Sequence, residues 1–325
     1  MKAWLRQIEI IFTSNKFYRK MIIADYADGK NSPNINITGT KEVSVLKDEF
    51  VIEISNLTHI QILQLINGQF YDVEIKIGYK ELGGLFTIFK GGVTYISNNL
   101  GDGKTNTIII LCNSKFIAQY GRARLNYCLT SGINMYTAIQ TLLRKANIKE
   151  MYIDPSFKQQ ILTETINVNS TAASWLDTFT QENQFVANVD YSTNNIISIW
   201  NIYGENNRII RLTKDKLLLT GGYPQLTSQG LELNTVPTFN ASPGNIIEID
   251  NALINIPISS LDDLSKNLGI YLDTSVDVKE AVKGNTYGQY MIYQMQYKLQ
   301  NRGSDFNIKI IAKSRNLIKK LKGET

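Results

Sequence analysis

Few side chains in this sequence are of the types that perform catalysis or bind metals. There is one histidine, His59, in the stretch SNLTHIQIL, and there are two cysteines, Cys112 and Cys128. Nucleophilic catalysis needs a histidine beside a serine or cysteine, and no G-x-S-x-G motif is present. A zinc site needs clustered histidines and cysteines, and the sequence has no C-x-x-C pair. We therefore predict no catalytic, cofactor-binding or metal-binding residues, with His59 on a helix surface and both thiols reduced.

Carboxylate pairs are the remaining candidates, because glycoside hydrolysis uses two of them. Asp262 and Asp263 are adjacent, and Glu248 and Asp250 alternate along a predicted strand. Such pairs are common on loops and exposed strands, so we interpret them as solvated side chains. The stretch GDGKTN at 101–106 lacks the first glycine of a phosphate-binding loop and is typical of a hairpin turn. The sequence thus predicts a protein that is not an enzyme.

Composition and charge fit a chain with real hydrophobic cores. The 325 residues are 43% hydrophobic and 19% charged, with a net charge of +5. The one dense basic run, KSRNLIKKLKGET from Lys313, indicates a solvated tail, or alternatively a contact with an acidic partner or passing nucleic acid. No signal peptide and no apolar run long enough for a membrane span are seen. We expect a soluble protein, made in the cytosol, without a membrane anchor.

The N-terminal third is patterned as antiparallel strands. Ile8, Ile10 and Phe12 fall on one face of a predicted strand, and two later runs, Phe50–Ile54 and Val73–Tyr79, alternate as strands in the same way. Asn56 is a candidate N-cap for a short helix that Asn67 and Gly68 would end. The polar connection 25–47 is interpreted as an extended loop. Strands and turns at about ten-residue spacing favour a small barrel or sandwich.

From about residue 114 the periodicity changes to that of amphipathic helices. Apolar residues spaced by three and four residues predict two helices, with Ser170 or Thr171 capping the second. Short strands flank them, which predicts a compact α+β module up to about residue 205. The helix positions are Ile139, Leu142, Leu143 and Ala146 in the first, and Ala172, Trp175, Leu176 and Phe179 in the second.

The rest of the chain returns to strand patterns. The glycine- and proline-rich stretch 220–250 predicts turn, strand, turn, strand, with SPG at 242–244 as a tight turn. Residues 287–314 predict a long hairpin that turns at 301–304. It echoes the stretch FKGGVTYISNNLGDGKTNTIIILCNS, which indicates either a duplicated unit or two ordinary hairpins. The 17 tyrosines suit either protein interfaces or ordinary strands.

Taken in order, three stretches resemble the baseplate hub proteins of bacteriophage tails. This family includes late control protein D-like hubs and the hub half of type VI secretion spike proteins. The first stretch is FVIEISNLTHIQILQLI with VEIKIGYKELGGLFTIFKGGV, the second ASWLDTFTQENQFVANVD, and the third GGYPQLTSQGLELNTVPTFNASPGNIIEID. The residues that match the family's motifs are Asn56, Leu57, Thr58, Gly78, Tyr79, Ile88, Phe89, Gly91, Gly222, Pro224, Thr227, Gly230, Pro243, Gly244 and Ile249.

The resemblance implies a mainly β fold with an α+β insertion. It would comprise a first tube-like antiparallel β-barrel domain (1–113), a small helix-containing middle domain (114–205) and a second tube-like barrel (206–325). The second barrel would carry a loop or helix insertion near 258–285.

The resemblance also implies a function and a set of partners. The chain would form a homotrimeric ring that adapts a sixfold tail tube to a threefold central spike and lines the channel. Its partners would be the tail tube protein and the central spike protein, with tape-measure, wedge or sheath proteins as further candidates and DNA only as passing cargo. Such a protein would belong to the virion baseplate and be assembled in the host cytoplasm.

Two other classes stay open at this point. A cell-wall hydrolase on the baseplate would place a catalytic acid in a cleft. A host-receptor or carbohydrate-binding tail protein would expose aromatic residues on loops, whereas this sequence keeps most of its aromatic residues in strand patterns.

Overall fold

The computed structural model describes most of the chain, in a series of ordered segments. The described residues are 5–14, 18–26, 32–44, 48–81, 84–100, 106–183, 185–188, 197–201, 208–213, 223–227, 230–237, 241–250, 253–254 and 287–314. Within them lie eighteen strands and four α-helices, so the fold is mainly β with helical segments, as predicted. The chain divides into two compact units. The first comprises 1–204, 237–240 and 297–306, and the second 205–236, 241–296 and 307–325.

The first unit is built on one antiparallel sheet. Its strands are β1 (Arg6–Ser14), β2 (Arg19–Asp25), β3 (Asn34–Glu42), β4 (Glu49–Ser55), β5 (Asp72–Tyr79), β6 (Gly84–Leu100) and β7 (Asn106–Ser114). Their order across the sheet is β3-β4-β7-β6-β5-β1-β2, and neighbours are antiparallel. Helix α1 (His59–Asn67) connects β4 to β5.

The core of this sheet follows the predicted alternation. The side chains of Ile8, Ile10 and Phe12 in β1 are fully buried, and so are those of Ile52 in β4 and Ile75 in β5. Burial of an aliphatic side chain of this size is worth about 1.5–3 kcal/mol, so these inward-facing rows supply much of the stability of the unit. The strand predictions for these segments are confirmed.

Two features of this sheet differ from the sequence predictions. The connection 25–47 is not an extended loop, because Asn34–Glu42 form β3, where Ile35 and Ile37 are fully buried and pair with β4. Ile35 and Ile37 do alternate, but their neighbours are polar, so the composition of the segment resembles that of a loop. The second feature, β2, was not predicted.

The α+β module of the first unit contains the predicted helices. Its elements are α2 (Lys115–Gln119), β8 (Arg124–Leu129), α3 (Met135–Lys145), β9 (Met151–Ile153), a 3₁₀ helix (Pro155–Gln159), β10 (Ile166–Thr171), α4 (Ala172–Asn183), β11 (Phe185–Asn188) and β12 (Ile197–Asn201). Both apolar stripes are buried as predicted. Asn134 caps α3, and Thr171 Oγ1 accepts from the Ser174 N–H at the start of α4.

The second unit contains the predicted C-terminal hairpin. Its strands are β13 (Ile209–Leu212), β14 (Gln225–Thr227), β15 (Gly230–Thr235), β16 (Ile246–Asp250), β17 (Tyr287–Gln300) and β18 (Phe306–Ser314), the hairpin being β17 and β18. Strand β15 pairs with β18, and β16 pairs with β17 and β13. The turn of the hairpin, within 297–306, belongs to the first unit. The predicted insertion near 258–285 lies outside the described residues.

Candidate interaction surface

Asn56, Leu57 and Thr58, from the first of the three stretches, shape the entry to α1. Asn56 is not the N-cap of this helix; Thr58 is, and it forms a capping box with Gln61. Asn56 instead has a left-handed backbone, with φ of 66°, two residues before the cap. Asparagine tolerates that conformation, so Asn56 makes the turn that leads from β4 into the helix. Leu57 between them is half-buried.

Three later residues of the first stretch, Gly78, Tyr79 and Phe89, lie where strands β5 and β6 pack closely. Gly78 in β5 faces β6, and a Cβ atom built there would lie 2.2 Å from the Gly84 carbonyl oxygen. Tyr79 is buried with its ring edge-on to Phe306, at 5.3 Å between centroids. Phe89 is fully buried and stacks on Phe50 at 4.4 Å. These residues therefore set strand spacing and pack the core.

The family-matching residues of the third stretch lie along the second unit. Pro243 and Gly244 form the predicted turn before β16, and Gly244 has φ of 89°, which favours glycine. Pro224 is buried beside β14, and Gly230 begins β15. Gly222 lies outside the described residues. Gly91, the remaining glycine of the first stretch, lies in β6 of the first unit.

The motif residues that the structure describes make structural contacts. Each lies in a turn, a strand or a tightly packed position, so their combined role in the fold is to position strands and pack the core. Their assignment to the hub family's motifs stays a prediction.

The residues considered for catalysis are also dispersed. His59 is exposed in the first turn of α1, as predicted. Glu248 accepts from Arg211 Nε at 2.9 Å on an exposed part of β16. Asp262 and Asp263 lie outside the described residues. Cys112 is buried and Cys128 is exposed, and neither is in a disulfide. Among the described residues no three His, Cys, Asp or Glu side chains are grouped for metal binding.

One cluster of buried polar groups was missed by sequence reasoning. Lys41 and Asp48, which flank the connection between β3 and β4, are both buried. Burial raises the pKa of the Asp48 carboxyl to about 7; the charge of Lys41 and the Glu42 N–H oppose that rise, and the Glu42 carboxylate adds to it. Burial, together with Asp48, also raises the pKa of Tyr297. The Tyr297 ring packs on Phe50 at 5.2 Å between centroids.

The same connection ties the sheet to the α+β module. Ser44 Oγ donates to Asp177 Oδ1 in α4 at 2.7 Å, and the Ala187 N–H in β11 donates to the Val43 carbonyl at 3.0 Å. A change in the charge of Asp48 would therefore act close to the contact between the sheet and the α+β module.

The turn of the C-terminal hairpin is held by polar side chains of the first unit. Arg6 Nη1 donates to the carbonyls of Gln300 and Gly303, and Arg6 Nη2 to that of Ser304. Its guanidinium lies over the Phe306 ring, 5.2 Å from the centroid. Arg6 thus contributes three hydrogen bonds that hold the turn.

An exposed apolar surface of the first unit lies between α1 and β2, and we call it the α1–β2 groove. It has a volume of about 510 Å³ and is lined by Met21, Ile60, Leu63 and Phe70, with Arg19 and Lys20 at the rim. Ile60 is 69% exposed, Leu63 44% and Ile66 47%. Helix α1 therefore has two apolar faces: one buries Ile62 and Leu65, and the other faces solvent.

Two further observations make this groove a candidate surface for association. Among the strands that the structure describes, β2 is the last of its sheet, and Ile22 within it is exposed. Tyr18 and Gln69, at either side of the groove, have left-handed backbones with φ of 52° and 49°. Such strain at non-glycine residues is typical of functional surfaces. Tyr18 is also 97% exposed.

The sequence contained part of the signal for this groove. The apolar residues of α1 cover more than half of its circumference, while Gln61 and Gln64 form a polar strip. An apolar stripe this wide indicates contacts beyond those with the core. The edge position of β2 could not be read from the sequence, because strand order depends on pairings between distant segments.

Two solved structures with the same fold are tail proteins. The 43 kDa tail protein of prophage MuSo2 from Shewanella oneidensis superposes with a TM-score of 0.52 at 8% identity, covering 94% of this chain and 95% of that one. A tail protein from Neisseria meningitidis gives a TM-score of 0.53 at 6% identity, covering 96% and 97%.

The third is a type VI secretion component from Escherichia coli, described as similar to the T4 tail proteins gp27 and gp5. Its TM-score is 0.50 at 11% identity, covering 88% of this chain and 75% of that one. No protein-family model and no curated protein sequence matches the chain. The chain therefore has the fold of phage tail proteins and of this type VI component, which confirms the resemblance at the level of fold.

The helices of the chain add one finding about membranes. In the segments that the structure covers, none of them has the length and apolar content needed to cross a bilayer.

Proposed function

We propose that this chain is the structural baseplate hub of a phage tail or a related contractile injection system. It forms a homotrimeric ring, adapts the sixfold tail tube to the threefold central spike, and lines the central channel. The observation that carries the proposal is the fold shared with tail proteins over nearly the full length of both chains.

The chemistry of the described residues supports a structural role. Glu248 is engaged with Arg211, and His59 is exposed at a helix start. The motif residues are used in turns and close packing, which serve the placement of strands. Work of this kind depends on shape, interface area and symmetry rather than on reactive side chains.

Edges and exposed apolar faces also fit an assembled state. The exposed Ile22 in the edge strand β2 and the exposed apolar residues of α1 would be aggregation hazards in a solitary chain. In a ring they would be covered. Each subunit would contribute two tube-like domains, so that three copies present six similar units to the tail tube.

The experiment that tests the proposal is a mass measurement of the purified chain by light scattering. It is repeated after mixing with candidate tail tube and spike proteins. Three copies, alone or in the complex, are expected. A stable monomer that ignores both partners would overturn the hub proposal and favour the hydrolase or receptor-binding class, which assays on peptidoglycan and on whole cells would then separate.

A further inference from the structure

A second exposed apolar surface lies on the first unit, on the outer face of strands β4, β6 and β7. We call it the β4–β7 face. Tyr95 in β6 is 57% exposed and lies opposite Leu111 in β7, which in turn lies opposite Val51 in β4. Leu111 is 38% exposed. These three side chains therefore form one apolar row across three strands.

The charges beside this row are the reverse of those at the groove. Glu49 and Glu53 flank Val51 on the same face of β4, since side chains two residues apart share a face. Asn113 donates to Glu49 at 3.3 Å, and Asn36 donates to Glu53 at 2.8 Å, so both carboxylates are held in place. At the α1–β2 groove the two charged lining residues are Arg19 and Lys20.

One chain thus presents two different apolar surfaces with opposite charges. Surfaces that differ but complement each other pair head to tail, and such a contact generates a ring when the rotation closes. Two copies of the same patch facing each other would bring like charges together, which disfavours self-pairing. The opposite charges would also steer two copies together and fix their register.

We propose that the α1–β2 groove receives the β4–β7 face of a second copy of this chain. The contact would cover Ile60, Leu63 and Ile66 with Tyr95 and Leu111 of the neighbour, and would bring Lys20 close to the carboxylates of β4. It would also shield the β2 edge. This inference rests on the ring proposed above, since it names the surfaces through which that ring assembles.

The first test uses substitutions at exposed positions. Ile60→Glu and Leu63→Glu place a charge in the groove, whereas Ile161→Glu places one at an isoleucine of similar exposure, 63%, in the α+β module. Light scattering over a range of protein concentrations gives the midpoint of assembly. We expect the groove variants to raise that midpoint about tenfold or more, and Ile161→Glu to leave it unchanged. Circular dichroism verifies that each variant is folded.

The second test is a charge exchange. Lys20→Glu and Glu49→Lys should each weaken assembly, and the double variant should recover it, because the two reversed charges again face each other. Recovery is a readout that mere loss of folding cannot produce. Failure of the double variant to recover, with both single variants folded, would overturn the assigned pairing.

The outcomes separate this inference from the hub proposal. If the unaltered chain forms trimers and the groove variants do so equally well, the surfaces are wrongly assigned and the hub proposal stands. If the groove variants still form trimers but no longer bind a different protein, such as the spike, the groove belongs to that partner. The second-copy assignment is then overturned. If the unaltered chain stays monomeric even with its partners, both proposals fail.

Discussion

The side-chain amide of Asn301 donates to the Asp25 carboxylate at 2.8 Å, although the two residues lie at opposite ends of the chain. The same amide donates to the Pro33 carbonyl at 2.9 Å, and its oxygen accepts from the Ile35 N–H at 2.8 Å. The Asn301 backbone N–H also donates to the Ile35 carbonyl. One asparagine at the hairpin turn therefore joins the ends of β2 and β3 within the first unit.

Asn301→Ala should lower the free energy of unfolding by about 1–3 kcal/mol. It removes three side-chain hydrogen bonds and leaves the half-buried partners without them. Chemical denaturation followed by circular dichroism measures the change. Asn98→Ala, at an exposed asparagine in β6, is the matched control and should change stability by less than about 0.5 kcal/mol. Equal effects of the two substitutions would show that the turn is not held in this way.

The stability of the chain should fall as the pH rises between about 4 and 7. The ordinary pKa of Asp48 is 3.8, and burial raises it to about 7 in the folded chain. Within that window the folded state keeps a proton that the unfolded state has released, so the free energy of unfolding decreases with increasing pH. The full shift corresponds to an upper limit of about 4 kcal/mol.

Denaturation at a series of pH values, on the unaltered chain and on Asp48→Asn, measures this contribution. The asparagine keeps an acceptor for the Glu42 N–H but does not titrate. The difference between the two curves isolates Asp48 from the other acids, and it should change through the window and level off above pH 7. A constant difference would contradict the assignment.

A separate substitution tests the role of Lys41. Its charge opposes the rise in the Asp48 pKa, so Lys41→Met should move the upper end of the window to higher pH. The same pH series on this variant measures the displacement. Lys149→Met, at an exposed lysine in the α+β module, is the control and should leave the window where it is. A shift to lower pH would show that Lys41 does not act on Asp48 electrostatically.

Some strands of the fold could be predicted from the sequence, and others could not. Alternation predicted β1, β5 and the hairpin of β17 and β18, because buried side chains alternate with less buried ones along much of each strand. It missed β3, whose two buried isoleucines, Ile35 and Ile37, are separated and flanked by polar residues. Local patterns report the burial of one segment but not which distant segment it pairs with. The edge position of β2, the groove beside α1 and the position of Asp48 beside Lys41 all depend on such pairings.

The last prediction concerns the close approach at Gly78, where a Cβ atom would lie 2.2 Å from the Gly84 carbonyl oxygen. A backbone atom cannot rotate away as the end of a flexible side chain can, so β5 and β6 would have to separate. Gly78→Ala should therefore lower the free energy of unfolding by about 3 kcal/mol or more. Gly132→Ala provides the comparison, because Gly132 has φ of 86° with no atom within 4 Å of an added Cβ. Its cost is limited to backbone strain, about 1–2 kcal/mol. Denaturation of both variants ranks the two effects, and a smaller loss for Gly78→Ala would mean that the strands are not held at this spacing.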